Sequence, residues 1–320
     1  MNKEQKLGIG IAVIGAIIII GVGMIVKKTN STQAIKHSDS SVPSQNKKQG
    51  ASNSSTKENE PTSPITQLLI HPNKKASYSS MQKALQRLPE ELSFADVSAL
   101  REVLDRPIEN FPKRLRPIEV NSIKNDILDK LLRQKKLPTG MGYQLVKMVE
   151  DSKNDSIWRD YSIQYMPQYY ERALQDSSVS EQERTAVRNA LFSALNQRED
   201  TLAGTALIAL ELLSKNDPDF DRKTILKTAT EITNDETAST SSRLTALRIS
   251  AKKGDAKSVV KTARTLAQTG ETVLLRSAAI VTLGEIGSFD DQELLESYLQ
   301  SNNKQIVSAA KIALNTLQKR

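Results

Sequence analysis

The sequence predicts an all-α fold: an α-solenoid of stacked helix pairs, preceded by a single transmembrane helix and a disordered linker. Three observations carry that expectation. Ala, Leu, Ile and Ser are abundant while aromatics make up only 4% of the 320 residues, a composition suited to closely packed helices rather than to a β-sandwich core. A long uncharged run opens the chain. Toward the C-terminus, glycines and small-residue motifs return at the spacing of a helix pair.

The uncharged run is Leu7 to Val26, twenty residues between Lys3 and Lys6 on one side and Lys27 and Lys28 on the other. At helical rise it spans about 30 Å, the hydrocarbon thickness of a bilayer. A secretory signal would be shorter and would end in a small-residue cleavage site; here two lysines follow directly. Residues 1–28 are therefore expected to be a single-pass membrane anchor. The short basic tail before it favours a cytoplasmic N-terminus and an extracytoplasmic C-terminal domain. Gly8, Ala12 and Ala16 recur every fourth residue, a spacing that would allow weak self-association of two anchors.

Residues 29–64 contain almost no large apolar side chain and cannot offset the entropy of ordering, so they read as a tether. Beyond them the pattern is helical throughout. Over 65–180 the helices are irregular: Ser93 to Leu104, Ile118 to Gln134 and Gly140 to Val149 carry apolar residues at i, i+3, i+4 spacing, with Pro89, Pro107, Pro112, Pro117 and Pro138 between them. Over 181–320 a repeat emerges. Gly254, Gly270 and Gly287 lie 16 and 17 residues apart, where helix ends call for a left-handed C′ residue. Arg243-Leu-Thr-Ala246 aligns with Arg276-Ser-Ala-Ala279 at a shift of 33, and Arg276-Ser-Ala-Ala279 with Val307-Ser-Ala-Ala310 at a shift of 31. Such a period means units that bury their apolar faces only by stacking. Ala246, Ala278, Ala279, Ala309 and Ala310 would let neighbouring helices approach.

These residues resemble HEAT repeats: an Arg or Val before a small Ala pair, then Leu283-Gly284, then an acidic turn at Asp290-Asp291 ahead of a second amphipathic helix. The resemblance covers about 180–320 and is weak over 65–180. A TPR-like or irregular α-solenoid is the alternative, although the Trp, Tyr and Pro positions of TPR units do not recur. HEAT-like solenoids imply scaffolds with a concave binding surface.

Chemistry is thinly represented. There is no cysteine, which excludes disulfides and thiolate catalysis. Only His37 and His71 exist, one in the tether and one at the start of the domain, so no Ser–His–Asp arrangement can be assembled. Ser-x-x-Lys pairs, as at Ser80–Lys83, lack the companion motifs of serine acylases. Asp217-Pro-Asp219-Phe-Asp221 resembles the start of a calcium loop but has Arg222 where Gly is required; a helix cap for Arg222–Thr233 is the better reading. No catalytic residue, cofactor or metal is expected. Half of the net charge of +8 lies in the first 64 residues and the other half is spread over the remaining 256 with both signs interspersed, a weak footprint for nucleic acid. Lys113, Arg114, Arg116, Lys130, Arg133, Lys135 and Lys136 form the most basic stretch and read as a solvated helix face.

Trp158, Tyr161, Tyr165 and Tyr169 fall on one helical face at spacings of 3, 4 and 4, with Tyr170 beside them and Pro167 placed to kink or break the helix. They are either a packed seam or an aromatic anchor for a protein partner. The function expected from the sequence is thus a membrane-tethered, non-enzymatic scaffold that binds a protein partner, with nucleic-acid binding as the alternative if the domain is cytoplasmic.

Overall fold

A computed structural model describes residues 62–254 and 256–320, all within one compact unit. The expected anchor at 7–26, its Gly8, Ala12, Ala16 stripe and nearly all of the 29–64 tether lie outside the described residues. Among the described residues no helix is long and apolar enough to cross a membrane.

The described chain is all-α, with fourteen α-helices and no strand. In order they are α1 (Pro64–Ile70), α2 (Tyr78–Gln86), α3 (Phe94–Asp105), α4 (Pro117–Leu132), α5 (Met141–Glu150), α6 (Ser156–Ala173) and α7 (Glu181–Ala194). They continue as α8 (Leu202–Leu213), α9 (Arg222–Asn234), α10 (Thr240–Lys253), α11 (Ala256–Thr269), α12 (Val273–Ile286), α13 (Gln292–Ser297) and α14 (Lys304–Gln318). Starts are written locally. Ser63, Ser77, Ser93, Asp155, Ser180, Asp221, Ser239, Thr272 and Asn303 each accept backbone N–H groups of the first turn, satisfying donors the helix itself cannot. Asp221 is therefore a cap, as its sequence context suggested.

Stacking follows a rule of alternate helices. α2 packs on α4, α4 on α6, α6 on α8, α8 on α10, α10 on α12 and α12 on α14, one continuous layer. The other layer is built of closer couples, α1 with α3, α5 with α7 and α9 with α11. One buried cluster runs from Leu69 to Ala246 and a second from Leu247 to Leu317. Ala246, Ala279, Ala309 and Ala310 are buried, and Ala278 is partly so. The closest approach is at Gly284, where an added Cβ would stand 2.4 Å from the Ala313 Cα.

The arginine of the sequence repeat has a structural meaning. Arg243 and Arg276 are the fourth residues of α10 and α12. Their Nε atoms donate back to the last turn of the preceding helix, to Thr233 O at 3.0 Å and Ala267 O at 3.3 Å. Arg159, fourth in α6, does the same to Val149 O at 2.8 Å. Each guanidinium thus satisfies a carbonyl that the end of a helix leaves open.

Two local expectations are corrected. Pro167 does not break its helix: α6 continues through it to Ala173, because a proline removes a single donor and packing on α4, α5 and α8 retains the rest. Gly254 and Gly287 do end α10 and α12, but with φ of −83° and −69° they are not left-handed. Their need for glycine is steric, since a Cβ would lie 2.6 Å from Ser250 O and 2.4 Å from Leu283 O. The one described glycine with positive φ is Gly140, at 70°.

Candidate binding face

Helix α6 turns its five aromatic residues in two directions. Trp158, Tyr169 and Tyr170 are buried, at 1%, 0% and 2% exposure. The Tyr169 hydroxyl donates to Glu183 Oε1 at 2.7 Å, and the same oxygen accepts the Gly142 N–H at 2.7 Å. Tyr170 meets Phe220 edge-on at 5.0 Å between centroids. These three are core residues and form the packed seam. Tyr161 and Tyr165 are only half-buried and look onto a face shared with α2 and α4.

That face follows from helical periodicity. In α4, Val120, Ile123, Ile127, Leu128 and Leu131 are buried, which leaves Ser122, Asn125, Asp126 and Asp129 on another side at i, i+3, i+4, i+7. Tyr78 and Gln82 of α2 lie one turn apart and complete it. The Tyr78 hydroxyl is 2.9 Å from Ser122 Oγ. Gln82 Nε2 donates to Asp126 Oδ2 at 2.6 Å and to the Tyr78 hydroxyl at 3.2 Å. Asp129 is paired with Arg133 at 2.9 Å; Asp126 has no cationic partner among the described residues.

The pKa shifts agree with one crowded electrostatic site. Burial, reinforced by Asp129, raises the Asp126 carboxyl above its ordinary range, against the Gln82 hydrogen bond. Burial, then Asp129 and Asp126, pushes the Tyr165 phenol far up; Asp160 and Asp126 reinforce burial in raising Tyr161. Both phenols stay neutral beside negative charge. Tyr78, Gln82 and Asp126 escape sequence reasoning because they come from helices about forty residues apart, joined only by alternate-helix stacking. The polar i, i+3, i+4, i+7 set of α4 was the available signal.

Behind the face lies a buried cation. Lys124 is 2% exposed, with Nζ 5.3 Å from the Trp158 ring centroid and 5.9 Å from that of Phe111. Burial brings its pKa down to about 8, opposed by the charges of Asp105, Asp155 and Glu109. In the basic stretch, Arg116 and Arg133, which flank α4, pair with Glu119 and Asp129 of that helix, and Lys113, Arg114, Lys135 and Lys136 are exposed. Among the described residues no group of three His, Asp or Glu side chains is placed to hold a metal ion.

No family model and no curated protein matches this chain. Among solved structures it is similar to human deoxyhypusine hydroxylase in complex with glycerol, at 14% identity and a TM-score of 0.27, over 80% of this chain and 95% of that one. A likeness at that level carries neither activity nor substrate across. The expected non-enzymatic function is nevertheless corrected, because this neighbour is by its title an enzyme. The non-enzymatic scaffold, and the nucleic-acid alternative beside it, are withdrawn.

Proposed function

We propose that the described domain is a HEAT-like α-solenoid that recognises an ammonium or guanidinium group on the tyrosine–carboxylate face of α2, α4 and α6. Support for the solenoid comes from alternate-helix packing along the described chain and from the 33- and 31-residue shifts of its small-residue motif. The observation that carries the ligand chemistry is the convergence of Tyr78, Tyr161 and Tyr165 around Asp126, a carboxylate bonded to an amide and not to a cation. A cation over tyrosine faces and beside a half-desolvated carboxylate gains from both.

Calorimetric titration of the full-length chain in detergent micelles tests this with two probes, N-acetylated and C-amidated tetralysine and n-butylammonium. Binding of the peptide alone assigns the face to a basic polypeptide segment, and binding of butylammonium assigns it to free amines. Asp126→Asn is expected to weaken either by about tenfold. Unchanged affinity in that variant, or no heat with either probe, overturns the reading. The uncharged run at 7–26 supports anchoring of this domain to a membrane with residues 29–64 as tether and the N-terminus cytoplasmic. A topology reporter fused after Arg320 decides the orientation.

A further inference from the structure

The layer built of helix couples opens between α3 and α5. There the two helices meet through long polar side chains. Arg101 Nε donates to Gln144 Oε1 at 2.7 Å and its Nη1 to Thr139 O at 2.6 Å, while Gln144 Nε2 returns a bond to Arg101 O at 3.0 Å. At the far end Lys147 pairs with Asp105 at 3.1 Å. Between them lies a solvent-open cleft of about 390 Å³, lined also by Ser98, Glu102 and Tyr143, comparable in volume alone to small-ligand pockets.

Two opposite charges on this wall lack an ion-pair partner among the described residues. The Arg101 guanidinium is held by neutral oxygens only, the Thr139 and Gly140 carbonyls and the Gln144 amide. Glu102, its neighbour on α3, is exposed and forms no ion pair among the described residues; Arg106, which feels its charge, donates to Ile70 O at 2.7 Å. The reciprocal bonds between Arg101 and Gln144 fix the guanidinium before any ligand arrives, which lowers the entropy cost of binding. Across the cleft Tyr143 is 48% exposed and offers an apolar ring surface.

We infer that the α3–α5 cleft binds a zwitterionic ligand of dipeptide size, with its carboxylate on Arg101 and Ser98, its ammonium on Glu102 and a side chain against Tyr143. Capped ligands test this without altering the protein. In calorimetry of the full-length chain in micelles, alanyl-tyrosine is expected to bind saturably. N-acetyl-alanyl-tyrosine and alanyl-tyrosine amide, each lacking one charge, are expected to bind about tenfold more weakly or less. Glu102→Gln should weaken the free dipeptide and leave the acetylated one unchanged. Binding should also persist in saturating capped tetralysine, which separates this cleft from the tyrosine–carboxylate face. Equal affinity for free and capped dipeptides, absence of saturable heat, or displacement by capped tetralysine would each overturn the assignment.

Discussion

Helices α4 to α6 and helices α10 to α14 stack by the same rule and are built from opposite materials. The first region fills its interior with Trp158, Tyr169 and Tyr170 and buries the Lys124 ammonium among aromatic rings. The second relies on Ala246, Ala279, Ala309, Ala310 and Ala313, with Gly284 letting α12 and α14 nearly touch. Charge is handled differently too. In the first region burial drives Lys124 down and Asp126 up, so each charged form is disfavoured. In the second, Glu271 is held low by its hydrogen bond from Arg243, and Arg264 is raised by Asp291. A solenoid thus tolerates a chemically costly stretch when neighbouring stretches are regular, and the costly stretch is where the proposed recognition face lies.

Overpacking the close approach gives the sharpest contrast. Gly284→Ala sets a Cβ 2.6 Å from the Ala313 carbonyl oxygen and 2.4 Å from its Cα. It is expected to cost about 2–3 kcal/mol in urea unfolding, despite alanine's better helix propensity. The same test on α4 should run the other way. Lys124→Met keeps the stem and removes the charge, and replacing a buried ion by an apolar group is neutral or stabilising; a gain of about 1–2 kcal/mol at pH 7 is expected. The pH profile supplies the check. With a folded pKa of about 8 against an ordinary 10.5, the unfolded chain holds more protons between those values, so wild-type stability rises from pH 8 to pH 10.5. Below pH 8 the full penalty remains. In Lys124→Met that rise should vanish.

The sequence displays these regions unequally for a physical reason. Arg243, Arg276 and the alanine pairs recur because each performs the same packing or capping task in successive units, so their spacing is visible. In α4 to α6 the fold is maintained by individual matches, such as Gln82 with Asp126 and Tyr169 with Glu183, and individual matches have no period. Helix α6 shows the limit best. Its aromatic spacing was plain, but which tyrosines face outward depends on α2 and α4, which the spacing does not contain. The glycines show a different limit: their places at helix ends were legible, while the steric reason emerged only from distances to Ser250 O and Leu283 O.

Removing one repeated arginine asks whether capping is shared equally along the stack. Arg243 is buried, bonds Thr233 O and pairs with Glu271 at 2.8 Å. Arg276 is half-buried and, among the described residues, makes the longer bond to Ala267 O alone. Arg243→Met is therefore expected to cost about 1–2 kcal/mol, and Arg276→Met less, both read from unfolding midpoints at constant m.

The smallest effect probes the binding face itself. Asp126→Asn retains an oxygen for the Gln82 amide and removes a charge whose burial is uncompensated. The folded pKa lies above the unfolded one, so the folded chain holds the proton longer and wild-type stability declines as pH rises between the two values. Above that window the variant should be the more stable, by up to about 0.5 kcal/mol. Below it the two should coincide. A cationic ligand on this face would reverse the order, because bound positive charge favours the carboxylate and stabilises the wild type alone. Melting temperatures at pH 7 with and without capped tetralysine therefore separate a merely strained carboxylate from one that is kept for binding.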